Sequence, residues 1–209
     1  MSHSIHAFDK PKSLGDPDAR ADRQSRLHAE HVVPLTAFVK SLRSETVMGA
    51  AIPDFDPADG GVRAELLYLL EAPGAKAVAS GFISRNNPDE TAKNFFDLNQ
   101  AAGIPRERTV LWNIVPWYIG TGTRIRAAGR GDIEQGLPSL TRLIALLPRL
   151  RTVVLLGRKA AYGADAILEL RPDLQVLRCP HPSPLFVNRS PGNRETILEV
   201  LRAAARSLR

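Results

Sequence analysis

One histidine lies in a segment whose backbone is heavily restricted. The stretch HPSPLFVNR, residues 181–189, follows Pro180 and contains two further prolines. Proline fixes φ and cannot continue a helix or donate to a central strand, so these residues predict a rigid loop. Such a loop holds the imidazole of His181 in one orientation, as a preorganised hydrogen-bond donor requires. A histidine that merely caps a turn is the alternative, but that role leaves the flanking prolines unexplained.

The elements that must position this loop are strands that alternate with helices. Four short apolar runs are continuous rather than alternating, which is typical of strands buried on both faces. Helical patterns lie between them, and this order predicts a parallel sheet covered on both sides. We therefore expect an α/β fold with three α/β/α layers and a central four-stranded parallel sheet. The predicted strands are 64–71, 109–115, 152–157 and 174–179, and the predicted helices are 89–103, 137–150, 159–170 and 192–208.

Sheets of this kind bind ligands in the crevice beyond the carboxyl ends of their strands. The polar residues that follow or end the four predicted strands are therefore candidates for one site. Because these strand ends meet at the same edge of the sheet, we expect the side chains to converge on a single crevice. In strand order they are Glu71, Asn113, Lys159 and His181.

The N-terminal part of the chain predicts a boundary near residue 20. Residues 1–20 are rich in Asp, Arg, Ser and Pro, which predicts a mobile polar tail. From 21 to 44 the apolar spacing fits an amphipathic helix that is interrupted, or starts afresh, near Pro34. A length of 209 residues with 44% hydrophobic content suits one domain, so we assign 21–209 to it.

Composition limits the partners and the compartment. The chain carries 28 Lys and Arg against 22 Asp and Glu, a net charge of +6, which favours a polyanion such as nucleic acid. Cys179 is the single cysteine, which excludes a disulfide framework and a four-cysteine metal site within this chain. No apolar run reaches the roughly 20 residues of a membrane helix, and the N-terminus is too polar for a signal peptide. We expect a cytoplasmic monomer without metal or cofactor.

Three segments, taken in order, resemble motifs of the uracil-DNA glycosylase superfamily. The residues EAPG at 71–74 followed by SGFIS at 80–84 resemble the first motif of the thermophile-type enzymes. ERTVLWNIVPW at 107–117 resembles the segment with the uracil-reading asparagine, and HPSPLFVNR resembles the last motif of the prototype uracil-excising family. Leu70 stands where the first motif begins with glycine, Ala77 stands where it continues with an acid, and the four cluster cysteines of the thermophile-type enzymes are absent.

The resemblance implies an enzyme that flips uracil out of DNA and hydrolyses its N-glycosidic bond to leave an abasic site. It implies that His181 donates to the uracil O2 as negative charge develops there. Asn113 would read uracil, since a side-chain amide can donate to O4 and accept from N3–H. Glu71 would orient the attacking water, although a carboxylate that caps the following turn is a nearly equal alternative. In that case Asp89, Glu90 or a water held by the backbone would take the role instead.

The remaining roles concern the base pocket and the DNA backbone. Phe82 would stack on the flipped base, beside a pocket wall formed by Ala72, Pro73 and Gly74; an ordinary core phenylalanine is the alternative. Leu185 would fill the gap that the flipped base leaves, provided that it is exposed. Phosphate contacts are expected from basic and hydroxyl side chains: Ser183, Arg189, Lys159 and, in the glycine-rich loop 120–132, Arg124, Arg126 and Arg130.

Two other functions remain open at this point. The first is a non-catalytic module that binds uracil or abasic sites in DNA, which the joint presence of Glu71 and His181 opposes. The second is an unrelated α/β enzyme that acts on a small phosphorylated or nucleoside ligand, which Leu185 and the arginine-rich loop oppose. The expected partner is therefore uracil-containing DNA.

Overall fold

The sheet has the predicted four strands, all parallel. The computed structural model describes residues 8–46, 50–121 and 124–208, apart from the side chain of Arg124. The strands are β1 (Asp54–Phe55), β2 (Leu66–Leu70), β3 (Phe82–Ile83), β4 (Thr109–Asn113), β5 (Gly120–Thr121), β6 (Arg124–Ile125), β7 (Thr152–Leu156) and β8 (Gln175–Cys179). The main sheet has the spatial order β4-β2-β7-β8, so β2 and β7 are its central strands. Two small pairs, β1 with β3 and β5 with β6, lie outside it.

Helices pack in two groups around this sheet. They are α1 (Pro17–Ser25), α2 (Val33–Glu45), α3 (Ala75–Ser80), α4 (Glu90–Ala101), α5 (Arg130–Ala145), α6 (Ala164–Leu170), α7 (Pro184–Val187) and α8 (Pro191–Ser207). Helix α4 packs with α7 and α8, whereas α5 packs with α2 and α6. Because β2 and β7 are buried on both faces, these two groups cover opposite sides of the sheet. The predicted three layers are confirmed.

Two helices start at different places from their predictions. Helix α5 begins at Arg130, ahead of the predicted start at 137, because the Asp132 carboxylate accepts the backbone N–H of Gly129 and closes the first turn. The segment predicted as a helix over 159–170 begins with a 3₁₀ turn, Ala160–Gly163, before α6. In the part of the chain that is described, none of the helices combines the length and the apolar character needed to cross a membrane.

The N-terminal segment is the main difference from the predicted domain plan. Residues 1–7 lie outside the described residues, but 8–20 pack on the domain and are not a separate tail. Helix α1 begins at Pro17, capped by the Asp16 carboxylate, and Leu14 is buried. The polar composition of residues 8–20 does not make them a mobile tail, because an ion pair between Asp9 and Arg106 also holds this segment on the domain. A second helix does start near Pro34, as predicted.

This segment covers a second, small hydrophobic cluster beside the main core. Its buried members are Leu14, Ala19, Leu27, Val32 and Phe82, so residues from both sides of the predicted boundary at 20 pack together. The apparent tail is therefore part of the same folded unit.

An aromatic stack fixes β4, the strand that ends in Asn113. The Trp112 ring stacks on Phe55 with 4.3 Å between ring centroids and 9° between planes. Phe38 of α2 packs against the same indole at 5.7 Å. These contacts hold the end of β4 rigidly and direct the next side chain, Asn113, to the opposite face of the strand.

Candidate active site

A cavity of about 400 Å³ lies at the carboxyl end of the sheet. It is bounded by the loop after β2, the loop between β3 and α4, the end of β4 and the loop after β8. The structure therefore brings Asn113 and His181 to one cavity. The predicted pocket wall, Ala72, Pro73 and Gly74, also lines it.

The Asn113 amide is buried at this cavity with an unused donor. The residue is 3% exposed, and among the described residues its Nδ2 atom has no hydrogen-bond partner. A buried donor without a partner costs about 1–3 kcal/mol, so buried amides kept for structure alone are normally paired. The amide is therefore available to a polar ligand in the cavity.

His181 is held on the other side of the same cavity. Its loop is tied to α4, because Asn94 Nδ2 donates to the backbone oxygen of Pro182 at 3.2 Å. Burial lowers the pKa of the His181 imidazole below its ordinary value of 6.5, while the carboxylates of Glu71 and Asp89 act in the opposite direction. The imidazole is consequently neutral at neutral pH, as a donor to a developing anion requires.

Gly157 makes room for this imidazole. It follows β7 with φ +89°, and a Cβ placed on it would lie 3.2 Å from His181 Cβ. Any residue with a Cβ is strained at such a φ. Here the added Cβ would also be in a tight contact with His181.

We expect Gly157→Ala to lower both stability and the activity that depends on His181. The backbone strain should cost about 1–2 kcal/mol of unfolding free energy. Gly103→Ala is the matched control, since Gly103 has φ +67° but nothing within 4 Å of an added Cβ. Thermal unfolding and single-turnover rates measured on both variants separate strain from displacement. Equal activity in the two variants would show that Gly157 does not position His181.

The Glu71 carboxylate makes a hydrogen bond to the backbone, which is the structural alternative given for it in the sequence analysis. Its Oε1 accepts the backbone N–H of Ala128 at 2.7 Å, and its backbone oxygen accepts the N–H of Val115 at 3.0 Å. The carboxylate thus anchors the chain ahead of α5, and it does not line the cavity. The cavity-lining carboxylate is that of Asp89, which also caps α4 by accepting the N–H of Ala92.

Two substitutions of Glu71 separate anchoring from chemistry. Glu71→Gln keeps an acceptor for the Ala128 N–H but removes the charge, whereas Glu71→Ala removes both. If Glu71 only anchors the chain, the Gln variant should keep the wild-type rate and the Ala variant should lose about 1–3 kcal/mol of stability. A large rate loss in a fully folded Gln variant would instead assign Glu71 to the chemistry. Thermal melts and single-turnover assays provide both readouts.

The predicted stacking role of Phe82 is wrong. Phe82 is buried in the N-terminal cluster with Leu14 and Leu27, on the side of β3 away from the cavity. Successive side chains of a strand point to opposite faces, so its neighbour Ile83 lines the cavity instead. The aromatic ring that does line the cavity belongs to Phe95 of α4.

Leu185 meets the condition set for a wedge. Its side chain is 88% exposed on α7, directly after the His181 loop. The turn is fixed from below, because Asn193 Nδ2 donates to the Phe186 backbone oxygen at 2.7 Å and Phe186 packs on the core. A large apolar side chain is therefore presented to solvent on a rigid base beside the cavity.

The side chains that were predicted to contact phosphate differ from one another in their ion pairs and in their exposure. Arg126 forms a bidentate pair with Asp132 at 2.5 and 2.7 Å, and the exposed Arg130 pairs with Glu134. A phosphate would have to compete with these carboxylates. The Arg124 side chain is outside the described part of the structure. Ser183 is half-buried at the start of α7, Lys159 is half-buried and Arg189 is exposed.

Several cavity residues carried no signal in the sequence. Phe95 belongs to an ordinary apolar helical stripe. In the sequence, nothing distinguishes Arg85 and Lys76 from basic residues on the surface. Ile125 of β6 lines the cavity next to Gly74, 3.9 Å from a Cβ placed there. Within residues 8–46, 50–121 and 124–208, no three His, Cys, Asp or Glu side chains are grouped as metal ligands.

A family model described as the uracil DNA glycosylase superfamily matches residues 57–205. The chain is similar to the crystal structure of wild-type SMUG2 from Pedobacter heparinus, with a TM-score of 0.54 and 12% identity over 87% of this chain and 86% of that chain. It is also similar to the solution structure of a candidate uracil DNA glycosylase from Methanosarcina acetivorans, with a TM-score of 0.48 and 18% identity over 69% and 92% of the two chains. No curated protein matches the chain.

Proposed function

Because the chain belongs to the uracil DNA glycosylase superfamily, we propose that it excises uracil from DNA by hydrolysing the N-glycosidic bond and leaves an abasic site. One observation carries the proposal. Asn113, a buried amide whose Nδ2 has no partner among the described residues, lines the same cavity as the half-buried His181, whose pKa is lowered by burial. A base reader and a neutral donor on one cavity are what this reaction needs.

Access to the bond requires that the nucleotide leave the base stack. Unstacking costs a few kcal/mol, and an apolar side chain inserted in the gap offsets part of that cost. The exposed Leu185 beside the cavity supports this role. Leu185 follows His181 by four residues, so the wedge and the donor belong to one proline-rich segment.

The chemical step breaks C1′–N1 and forms a bond between C1′ and a water oxygen. The electron pair of the broken bond stays on uracil, where negative charge develops on O2. A neutral His181 donates there, and the Asn113 amide donates to O4. Asp89, a carboxylate that lines the cavity, orients the water in this proposal, and the proton that the water releases balances the one taken up by N1.

One observation favours a non-catalytic uracil-binding module instead. The Glu71 carboxylate is occupied by the Ala128 N–H and is outside the cavity lining. Alkali-induced strand cleavage distinguishes the two functions: the protein is incubated with EDTA and a duplex that contains one uracil, and abasic sites are then cleaved. A glycosylase gives a nick at the uracil and none in the matched thymine duplex, whereas a binding module gives no nick.

Leu185→Ala should weaken excision from duplex DNA more than excision from single strands. The loss is expected to be about 10-fold in duplex, since an exposed leucine contributes nothing to the core and acts only by filling the gap. Leu168→Ala is the control, because Leu168 is an exposed leucine on α6, 41% accessible. Equal effects on both substrates would mean that Leu185 is not a wedge.

A further inference from the structure

The loop between β3 and α4, residues 84–89, forms one wall of the cavity and ends at Asp89. This loop has no regular secondary structure, so contacts with other segments must hold it in one conformation. Asp89 also caps α4 by accepting the N–H of Ala92 at 2.9 Å. The conformation of the loop therefore determines both the cavity wall and the start of the helix. The residues of the loop that line the cavity are Ser84, Arg85, Asn87 and Asp89.

Asn86 belongs to the same loop but lies outside the cavity lining, and it is completely buried. Its side-chain Nδ2 donates to the backbone oxygen of Lys10 at 2.8 Å, and its backbone oxygen accepts the N–H of Leu14 at 3.0 Å. Its own backbone N–H donates to Ser84 Oγ at 2.9 Å, within the loop. Asn86 thus connects the loop to a segment far away in the sequence, residues 8–15, which we call the strap.

The strap also contacts the end of the loop. A Cβ placed on Gly15 would lie 3.4 Å from the Pro88 Cβ, so the backbone of the strap passes directly against the loop. Lys12 of the strap forms an ion pair with Glu90, the first residue of α4. Contacts between the strap and the loop therefore extend from Asn86 to the start of the helix.

A half-buried to buried group of charges holds the strap and Asn86 together. Arg106 Nη1 donates both to the Asp9 carboxylate and to Asn86 Oδ1. The Nε and Nη2 atoms of the same guanidinium donate to Asp59 at 2.7 Å and to Asp56 at 2.6 Å. Bonds between a guanidinium and a carboxylate are strong and fix the geometry of both groups. Because Arg106 keeps Asp56 and Asp59 as partners without Asp9, loss of Asp9 frees the strap and does not leave a buried cation unpaired.

The strap lies outside the stretch that the family model matches, residues 57–205, whereas the loop and Arg106 lie inside it. Apolar burial, such as that of Leu14, stabilises without fixing an orientation. Hydrogen bonds do fix an orientation, and those of the strap end on the loop that carries Asp89. The arrangement is therefore suited to positioning this loop as well as to stabilising the fold.

We infer that the strap positions the loop 84–89 for the reaction, with Asn86 as the positioning residue. The inference rests on the proposed function for the part that Asp89 plays in it. Asn86 acts through Asp89 and the cavity wall. A displacement of a reacting group by about 1 Å can cost roughly 10²-fold in rate, so a loop that is held loosely lowers the rate even in a fully folded protein.

The first test measures single-turnover excision of uracil at saturating enzyme. Asn86→Ala should lower the rate constant about 10- to 100-fold, because it removes the bonds to the strap and to Arg106. Asp9→Ala keeps Arg106 paired and should lower the rate constant about 10-fold. Asp9→Asn should restore most of that loss, since its amide oxygen still accepts from Arg106.

Asp22→Ala is the matched control for Asp9→Ala. Asp22 is also a half-buried carboxylate of the N-terminal segment, but its ion pairs are with Arg23 and Arg26. The control should keep the wild-type rate constant. A strap that only stabilises the fold would lower the amplitude of the reaction, which counts folded molecules, and leave the rate constant unchanged. Wild-type rate constants in Asp9→Ala, or in folded Asn86→Ala, would overturn the inference.

A second measurement depends neither on catalysis nor on a ligand. Amide hydrogen exchange in peptides that cover 84–89 is followed by mass spectrometry in wild type, Asp9→Ala and Asp22→Ala. Exchange should be at least about 10-fold faster in Asp9→Ala and unchanged in Asp22→Ala, because only the first variant releases the loop. Equal exchange in all three proteins would contradict the role of the strap. If wild type does not cleave uracil-containing DNA, the proposed function fails, and this measurement still decides whether the strap holds the loop.

Discussion

His181→Ala should lower single-turnover excision of uracil by about 10²- to 10³-fold, the usual loss for one preorganised donor to a developing oxyanion. Affinity for uracil-containing DNA should change little, because the donor acts mainly when the bond breaks. His28→Ala, at an exposed histidine near the end of α1, is the control and should leave the rate unchanged. Rates are measured with enzyme in excess. Unchanged excision by His181→Ala would remove this residue from the chemistry.

The same assay run against pH tests the protonation state. Because burial lowers the pKa of His181 in the folded protein, the neutral form persists as the pH falls through 6.5. The wild-type rate should therefore stay level from pH 8 to about 6.5 and fall only below that range, as the imidazole becomes protonated. A rate that instead rises on acidification through this range would mean that the protonated imidazole is the active form.

Asn113→Asp should change which base is excised. Uracil presents O4 and N3–H where cytosine presents an amino group and an unprotonated N3, so an aspartate cannot donate to O4 but can accept from the cytosine amino group. Uracil excision should drop by roughly 5- to 150-fold, the equivalent of about 1–3 kcal/mol for an opposed buried contact. Slow cytosine excision should appear. Both are read from single-turnover cleavage of matched oligonucleotides with uracil or cytosine at one position.

A control variant separates this effect from added charge. Gln100→Glu adds one negative charge at an exposed position at the end of α4 and should leave both rates as in wild type. If Asn113→Asp keeps the wild-type uracil rate, the amide is structural, and the unpaired Nδ2 has no part in reading the base.

The sheet could be predicted from the sequence, and so could the position of Asn113 and His181 on one cavity, because each depends on local sequence. Continuous apolar runs identify the buried strands β2, β4 and β7, whereas the fourth run, β8, is an edge strand in which only Cys179 is buried. Parallel topology brings the carboxyl ends of all four strands together. Proline around His181 restricts the backbone whatever the rest of the chain does. The exposure of Leu185 likewise follows from a short turn whose other apolar side chains face the core.

The predictions that the structure contradicts depend on contacts between segments that are distant in the sequence. The resemblance to the first motif predicts Phe82 in the pocket, and the polar composition of residues 1–20 predicts a tail that would not cover it. Once Leu14 and its neighbours pack on the domain, they cover Phe82 and leave the cavity to Phe95. Arg85 is similar: its place at the cavity depends on Asp59 and Thr109, and no local pattern links these residues to it.

The most direct test of the proposed reaction is to identify its products. Wild-type protein is incubated with a single-uracil duplex and EDTA, and the mixture is analysed by mass spectrometry without alkali. The account predicts free uracil and an intact strand that carries one abasic site, in equal amounts, with neither formed from the matched thymine duplex. Uracil that stays on the strand while the protein remains bound, or uracil released only together with a strand break, would contradict it.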